Sequence, residues 1–305
     1  MVPDMASLAA KLLAWFRVSG RRLPWRQTRD PYGILVSEIM LQQTQVHRVL
    51  GFYERWLRRF PDWITLAAAS NADVIRAWSG LGYNRRGLML RDIARHIVGS
   101  LTAAKPPTTR GQWLALKGIG PYTSAAVAAF ALHERVMPID TNIRRVLGRF
   151  LLNKPFAHTK DDARIQKRID AILPRRGRFY DVPQALFDLA TSICTKTPDC
   201  ARCPLRAGCP AAARFLAGRV RIPKRSVAKS IEFHHRGKPH PDRIYRGRIL
   251  KLVREEPGIR TDEVGARADP DFHRAQDAAW IRAMVRRLEK DGLLKSQNGR
   301  LRLPE

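Results

Sequence analysis

Apolar residues recur at spacings of three and four along most of the first two thirds of the chain. This period predicts α-helices with one apolar face. No alternating strand pattern occurs before residue 215, so this part is predicted to be all-α. The periodic stretches are "DMASLAAKLLAWF", "ILVSEIMLQQTQVHRVLGFYERWLRRF", "ADVIRAW", "RRGLMLRDIARHIV", "GQWLAL", "TSAAVAAFAL", "TNIRRVLGRFLL", "DARIQKRIDAIL" and "VPQALFDLATSIC".

The helical period stops in "AGRVRIPKRSVAKSIEFHHRGKPHPD", where basic residues, His and Pro dominate. We predict a flexible basic linker at 214–240. Three predicted helices follow, "RIYRGRILKLVREE", "RTDEVGAR" and "DAAWIRAMVRRLEKDG", and then a hairpin turning at Asn298 and Gly299. This order favours a winged-helix-like α+β domain at 241–305.

Charge suggests the partner. The chain holds 56 Lys and Arg against 27 Asp and Glu, a net charge of +29. Such a surface favours nucleic acid, because binding to phosphates releases counterions; a membrane surface is the weaker alternative. No run of 18 apolar residues occurs, and the first residues lack a basic leader. We expect an intracellular, cytoplasmic, nucleoid-associated monomer without a membrane segment.

The four cysteines lie within 16 residues, in "CTKTPDCARCPLRAGC": Cys194, Cys200, Cys203 and Cys209. Clustered thiols in an intracellular chain indicate ligands rather than disulfides. Both zinc and a [4Fe-4S] cluster fit, and the wide-narrow-wide spacing favours the cluster. Four thiolates leave no open position, so the predicted role is to brace a basic loop that carries Lys196, Arg202 and Arg206.

The stretch "LKGIGPYTSAAV" places Gly118 and Gly120 between two predicted helices. The third glycine of a dinucleotide fingerprint is missing, and a helix rather than a strand precedes the turn. We predict a helix-hairpin-helix whose free N–H groups bind DNA phosphate. Its predicted phosphate contacts are Lys117, Gly118, Gly120 and Thr123; an ordinary helical corner is the alternative. Downstream, Asp140 in "MPIDTNIRRVLGRF" precedes a basic helix, where an N-cap is the plain interpretation.

These motifs together resemble the helix-hairpin-helix DNA glycosylases of the endonuclease III superfamily, in particular the MutY-type adenine glycosylases. The matching stretches, in the family's order, are "LPWR", "SEIMLQQTQV", "WSGLGY", "LKGIGPYT", "PIDTNIRRVLGR", "QALFDLATSICT" and the four cysteines. They run from Leu23 to Cys209, about 60% of the chain. The resemblance implies two helical lobes with DNA and a flipped base between them: an iron-sulfur domain at 1–26 and 137–213, and a six-helix domain at 27–136.

The resemblance also implies the chemistry, which is hydrolysis of the N-glycosidic bond of adenine mispaired with guanine or 8-oxoguanine. Glu38 corresponds to the acid that protonates the base, Asp140 stabilises the sugar cation or a covalent intermediate, and Asn142 and Tyr122 complete the polar shell. Glu38 sits in an apolar helix, where burial should raise its pKa and keep a proton available; the plain alternative is a first-turn Glu that favours the helix dipole.

Further residues are assigned by the same match. The bifunctional members have a lysine at the position of Tyr122, so we predict a monofunctional enzyme without strong lyase activity. Trp25, Arg26 and Gln184 correspond to the base pocket. Gln43 and Tyr83, with Gln42 beside them, correspond to the wedge that fills the gap left by the flipped base.

The chain departs from the family pattern at three points. Five residues rather than six separate Cys194 from Cys200, and Asn84 replaces a second aromatic residue. The segment after the linker is too short for a MutT-like domain that reads 8-oxoguanine. For "FHHRGKPH" (233–240), contact with the opposite DNA strand is the alternative to a flexible linker. Two alternatives stay open at this point. One is a mismatch glycosylase for thymine or uracil opposite guanine, and the other is a non-catalytic DNA-binding protein.

Overall fold

The structure, a computed structural model, describes residues 5–99, 105–175, 177–223 and 233–305. The chain folds into two compact units. Met1–Glu38 and Pro106–Arg225 form the first (unit 1), and Ile39–Lys105 and Ser226–Glu305 form the second (unit 2). The four-part division predicted above stays a prediction. The helices are α1 Met5–Ser19, α2 Pro31–Leu41, α3 Val46–Arg59, α4 Trp63–Ala68, α5 Asn71–Trp78, α6 Arg85–Gly99, α7 Arg110–Ala115, α8 Pro121–Phe130, α9 Thr141–Leu152, α10 Asp162–Ile172, α11 Asp181–Ser192, α12 Pro210–Leu216, α13 Asp242–Glu255, α14 Val264–Ala268 and α15 Arg274–Lys290.

The core of unit 1 is built by α1, α9, α10 and α11, whose apolar faces pack together. The apolar side chains at the predicted spacings of three and four therefore lie in this core. Helix α9 begins at a true N-cap, since the Asp140 side chain accepts from the backbone N–H groups of Asn142 and Ile143. The fully buried members of this core include Leu12, Ile143, Leu147, Ile165, Leu186 and Leu189.

The predicted hairpin of unit 1 joins α7 to α8. A capping box of Thr109 and Gln112 starts α7. The chain then turns through Gly118, whose φ of +94° lies in the left-handed region where glycine carries no steric cost. Gly120 and Pro121 start α8, with Pro at the first helical position, where its missing N–H costs nothing.

In unit 2, α4 and α5 both pack on α6. The aromatic centre is Trp56 against Trp78, edge to face, with ring centroids 5.3 Å apart. Gly87 lets α6 approach this centre, because a Cβ there would lie 3.0 Å from the Trp78 ring. None of the described helices has the length and apolar character that crossing a membrane requires.

The C-terminal part of unit 2 has the predicted winged-helix order. After α13 come β1 (Ile259–Arg260), α14, α15, β2 (Lys295–Gln297) and β3 (Arg300–Arg302), and the antiparallel sheet has the order β1-β3-β2. Asn298 (φ 50°) and Gly299 (φ 69°) form the β2–β3 turn, which confirms the predicted hairpin. Tyr245, Ile249, Trp280, Met284 and Leu301 are among its buried residues.

Two element predictions need correction. The stretch 34–60 forms two helices, because the chain breaks between Leu41 and Val46 with Gln43 at φ 55°. No glycine or proline marks this break, so hydrophobic period alone misses it. The predicted helix in "RTDEVGAR" begins only at Val264, since Arg260 already belongs to β1.

The predicted linker is also partly wrong. Helix α12 continues to Leu216, and residues 224–232 lie outside the described part. Beyond them the segment is packed rather than flexible. The Lys238 side chain is 5% exposed, with its ammonium 2.6 Å from Asp269 Oδ2 and 2.7 Å from Asp277 Oδ2. The His235 ring stacks on Trp280 with centroids 4.5 Å apart.

Candidate active site

Glu38 is a buried acid on α2. Its side chain lies in an apolar helix, and the residue is 7% exposed. The Tyr122 hydroxyl donates to Glu38 Oε2 at 2.9 Å. Burial raises the pKa of Glu38 to about 7; the Asp140 charge adds to this rise, while the Tyr122 hydrogen bond and Arg26 oppose it. A pKa this close to neutrality keeps a proton available on Glu38 near neutral pH.

Asp140 is the second carboxyl group, and it accepts more hydrogen bonds from the protein than Glu38 does. Its oxygens accept from Asn142 N at 2.8 Å, Ile143 N at 2.7 Å and Asn142 Nδ2 at 2.7 Å. Burial raises the pKa of Asp140, and these three bonds and Arg145 act against the rise. Glu38 has one neutral donor. Of the two groups, Asp140 therefore has the more strongly hydrogen-bonded carboxylate.

Tyr122, the second residue of α8, interacts electrostatically with both Glu38 and Asp140. Burial raises the pKa of its phenol well above 10, and the charges of Glu38 and Asp140 raise it further. Tyr122 is therefore a neutral hydrogen-bond donor near neutral pH. Its ring meets Phe187 of α11 edge to face at 6.5 Å. In unit 1, α2, α8 and the start of α9 thus contribute polar groups to one cluster, and α11 contributes the Phe187 ring that packs on it.

A buried ion pair lies in the same unit. Asp188 of α11, whose side chain is 3% exposed, accepts from Arg26 Nη1 and Nη2 at 2.8 and 2.9 Å and from Arg21 Nε at 2.7 Å. Burial alone would raise the pKa of Asp188, but the two guanidinium groups bring it below its ordinary value. Gln184, one helical turn earlier, is also buried, and its carbonyl accepts from Arg26 at 3.4 Å. Trp25 is buried next to Arg26.

The structure places the predicted phosphate contacts around the hairpin. Gly118 and Gly120 lie in the turn and at the N-cap of α8, and Lys117 is exposed. Thr123, by contrast, is 4% exposed, so its hydroxyl does not reach the surface. A phosphate here would contact backbone N–H groups at the start of α8 and the Lys117 ammonium.

The predicted wedge residues belong to unit 2. Gln43 and Tyr83 are both exposed, Tyr83 by 65%, and both have left-handed backbone, with φ of 55° and 50°. Non-glycine residues adopt this conformation at a cost, often at functional loops. Gln42, which lies between the end of α2 and Gln43, is half-buried.

One arginine side chain contacts both of the loops that carry the predicted wedge residues Gln43 and Tyr83. Arg86 of α6 donates to the carbonyls of Ile39 at 2.9 Å and of Gln42, at the end of α2, and to the carbonyl of Gly82 at 3.0 Å. Its guanidinium also lies 5.3 Å from the Tyr83 ring centroid. Arg86 thereby satisfies orphan carbonyls of α2 and fixes the Gly82–Tyr83 turn.

The four cysteines line a single cavity in unit 1. Its wall also includes the apolar side chains of Ile193, Ala211, Ala212 and Phe215 and the 2% exposed Arg149. Arg149 Nη1 lies 3.3 Å from Cys194 Sγ and donates to Thr195 O at 2.7 Å. Soft sulfur donors around an apolar space beside a buried cation fit an anionic iron-sulfur cluster. Among the described residues, no group of three or more His, Cys, Asp or Glu side chains is arranged to bind a single metal ion.

Comparison with known proteins identifies the family. A family model described as HhH-GPD superfamily base excision DNA repair protein matches residues 36–173. The adenine DNA glycosylase of Mycolicibacterium smegmatis is 35% identical over 257 residues, which are 82% of this chain and 82% of that protein. The chain belongs to the HhH-GPD superfamily. Glu38, Tyr122 and Asp140 all lie within the region matched by the family model.

Within this superfamily, the adenine DNA glycosylase of Mycobacterium tuberculosis is 42% identical over 196 residues. The match covers 64% of this chain and 64% of that protein, so the chain spans less than two thirds of this relative. Among solved structures, a thermostable thymine-DNA glycosylase superposes with a TM-score of 0.64 at 24% identity, over 69% of this chain and 97% of that one. A trapped endonuclease III–DNA covalent intermediate gives 0.58 at 16%, over 69% and 96%. These two likenesses show the shared fold.

Sequence reasoning assigned no role to three charged side chains. Asp188 of unit 1 lies inside a quoted motif, and Arg86 of unit 2 lies beside one. A lone charge in an apolar helix, "ALFDLA", is the signal that could have found Asp188. Arg145 was missed as well. It donates to Asn142 Oδ1 at 3.1 Å and to Cys194 O at 2.8 Å, which connects Asp140, through Asn142, to the cysteine loop.

Proposed function

We propose that this chain is a monofunctional adenine DNA glycosylase of base excision repair, acting on adenine opposite guanine or 8-oxoguanine in duplex DNA. The observation that carries the proposal is a pair of carboxyl groups in different environments, the buried Glu38 and the half-buried Asp140. Glycosidic cleavage uses such a pair, one group neutral and one charged. Their neighbours Tyr122 and Asn142 come from the same chain, which supports action as a monomer.

The proposed reaction hydrolyses the bond between adenine and its deoxyribose. Protonated Glu38 transfers its proton to the departing adenine, which makes the base a better leaving group. The bond electrons leave with the base, so the sugar becomes an oxocarbenium ion. A water molecule adds to the sugar carbon and loses a proton to Glu38. The products are free adenine and an abasic site, and Glu38 is again protonated.

Asp140 supplies the negative charge that the sugar cation needs. Its three hydrogen bonds fix its position, so little reorganisation is required when the cation forms. Tyr122 holds the Glu38 carboxyl in place. A phenol does not form a Schiff base, so strand cleavage by a lyase step is not proposed.

We further propose how the base is selected and extruded. The amide of Gln184 would pair with the adenine edge, while Trp25 and Arg26 line the same pocket. Gln43 and Tyr83 would enter the stack that the flipped nucleotide leaves, with Arg86 holding their loops. The N–H groups after Gly118 and Gly120, with Lys117, would bind the phosphate backbone.

We propose that Cys194, Cys200, Cys203 and Cys209 hold a [4Fe-4S] cluster. Bound there, the cluster would supply a fixed folding centre rather than a reacting group, since the four thiolates fill its ligand positions. It would hold the loop that exposes Lys196, Arg202 and Arg206. The purified protein should then be yellow-brown and absorb blue light; a colourless protein with stoichiometric zinc would contradict the cluster.

The function is tested with duplexes that contain A·8-oxoG, A·G, T·G, U·G or matched pairs, incubated with the protein and then treated with alkali. We expect breakage of the adenine strand in the first two duplexes, and only after alkali. Breakage confined to T·G or U·G would replace the adenine assignment, and breakage without alkali would refute the monofunctional one. Asp140→Asn is the matched control, because it should bind the A·8-oxoG duplex without releasing adenine.

A further inference from the structure

The C-terminal winged-helix-like domain carries an exposed basic stripe along α15. Arg282, Arg286 and Lys290 are exposed and four residues apart, so they lie along one face of the helix. The opposite face supplies the buried core residues of the domain, including Trp280, Met284 and Leu288. The stripe is about 12 Å long at 1.5 Å per residue.

The stripe differs in its partners from three other exposed basic residues of the domain. Lys251, Arg260 and Arg267 pair with Glu255, Asp262 and Glu256 at 3.8, 2.7 and 2.7 Å. Within the described ranges, no carboxylate pairs with Arg282, Arg286 or Lys290. The positive charge of the stripe is therefore not neutralised by a carboxylate of the described residues, which favours an external polyanion.

The β2–β3 hairpin adds a second group of charges. Lys295 and Arg302 are directly opposite in the register, so their side chains leave the same face of the hairpin, and both are exposed. Like charges in this position repel each other. A phosphate between or beside them would remove that cost. A helix-turn-helix of α14 and α15 followed by a basic hairpin is a DNA-binding arrangement, in which the second helix enters the major groove, about 12 Å wide.

The end of α15 is fixed close to the proposed wedge, within unit 2. Asp291, which follows Lys290, is 3.4 Å from Arg85 Nη1, and Asn71 Nδ2 donates to Gly292 O at 3.3 Å. Arg85 is two residues after Tyr83. Chain geometry therefore keeps the Cα atoms of Tyr83 and Lys290 within about 25 Å of each other, because consecutive Cα atoms are about 3.8 Å apart. One turn of duplex DNA is about 34 Å long, so a single duplex spans this distance.

We infer that the basic winged-helix surface, defined as Arg282, Arg286, Lys290, Lys295 and Arg302, binds the backbone of the substrate duplex beside the lesion, independently of sequence. This inference rests on the proposed function only in that the substrate is duplex DNA. The surface would add affinity and lengthen the footprint. It would not alter the chemistry at Glu38.

The test compares two full-length triple variants with equal loss of charge. The stripe variant is R282Q/R286Q/K290Q, and the matched control is K251Q/R260Q/R267Q, whose arginines and lysine are already paired with acids. Affinity for undamaged 12- and 30-base-pair duplexes is measured against salt concentration. We expect the stripe variant to bind the longer duplex about tenfold more weakly, with a salt slope shallower by up to about 3, since each phosphate contact contributes about 0.9 to the slope. The control should stay close to the wild type.

The inference fails if the stripe variant matches the control in affinity and salt slope, which is also the result if α15 serves a protein partner instead. Melting curves of both variants check folding, and the single variant R286Q, expected to lower the slope by about one, serves if the triple variant does not fold. Adenine release at saturating enzyme is followed in parallel. Equal salt slopes for the stripe variant and the control variant would refute only this inference. Wild-type protein that binds duplexes but releases no adenine would refute only the proposed function.

Discussion

Two carboxyl groups in unit 1, Glu38 and Asp188, are both almost fully buried, yet their environments shift their pKa values in opposite directions. Burial raises the pKa of Glu38 to about 7, and the hydrogen bond from the neutral phenol of Tyr122 opposes this rise only in part. The pKa of Asp188 falls below its ordinary value despite burial, because Arg21 and Arg26 both donate to it. Depth of burial alone therefore does not determine whether a carboxyl group is charged.

The comparison separates two tasks. A group that must deliver a proton needs a pKa near the working pH, which Glu38 reaches by having few donors. A group that must stay charged needs several hydrogen-bond donors or cationic partners, and Asp188 has two arginines. Both are lone acids in apolar helices in the sequence, "SEIML" and "LFDLA". Only the partners contributed by distant parts of the chain distinguish them.

The largest expected effect comes from Glu38→Gln, which keeps the shape of the side chain but removes the acidic proton. Single-turnover adenine release should fall by about 10² to 10⁴, the usual contribution of a general acid. Binding of the A·8-oxoG duplex should change little, because an amide still fills the site. Glu134→Gln, on an acid that accepts from Arg110 N, is the control. A variant that retains the wild-type rate would remove Glu38 from the chemistry.

Asp188→Asn should have its main effect on stability. The amide leaves two guanidinium groups without a counter-charge, and breaking a buried pair in this way costs about 3 to 5 kcal/mol. Asp181→Asn, on the same helix, breaks the pair with the mostly exposed Arg178 and should cost at most about 1 kcal/mol. Urea unfolding of both variants measures the difference. Equal losses would show that Asp188 is not specifically stabilised by its arginines.

The pH dependence tests the raised pKa of Glu38. The acid form of Glu38 predominates below about pH 7, so the single-turnover rate should fall about tenfold per pH unit above it. The rate should also fall in more acidic solution once Asp140 is protonated, and burial raises the pKa of Asp140 above its ordinary value. Folded Glu38 keeps its proton up to about pH 7, whereas its ordinary pKa is 4.5. Its contribution to stability is therefore present at low pH and is lost between these values, by about 3 kcal/mol. Glu38→Gln should abolish both dependences, and a wild-type rate that rises through pH 7 would contradict this assignment.

The sequence predicts much of the fold because local rules decide it. The apolar period places the helices, Gly118 with Pro121 marks the hairpin, and Asn298-Gly299 marks the wing. The break after Leu41 is different. It is stabilised by Arg86, which lies 47 residues beyond Ile39 in the sequence, so no local signal reveals it.

The candidate site follows the same division. The apolar neighbours of Glu38 already indicate burial and a raised pKa, and the N-cap role of Asp140 is visible as a local pattern. The link through Arg145 to Cys194, and the two arginines on Asp188, join residues from separate helices. These contacts depend on tertiary packing, and period and spacing carry no information about them.

Tyr122→Phe should produce the smallest effect, and it refines the comparison most directly. The phenol is the donor that lowers the pKa of Glu38, so its removal should move the upper pH limit of the rate to a higher value. Below pH 6 the rate should fall only a few-fold, through looser positioning of the acid. Tyr180→Phe, on a half-buried tyrosine of the same unit, is the control and should leave the profile unchanged. A limit that moves to lower pH would mean that Tyr122 stabilises protonated rather than ionised Glu38. Hydrogen-bond donors would then not determine the pKa of this buried acid, and the comparison with Asp188 would lose its physical basis.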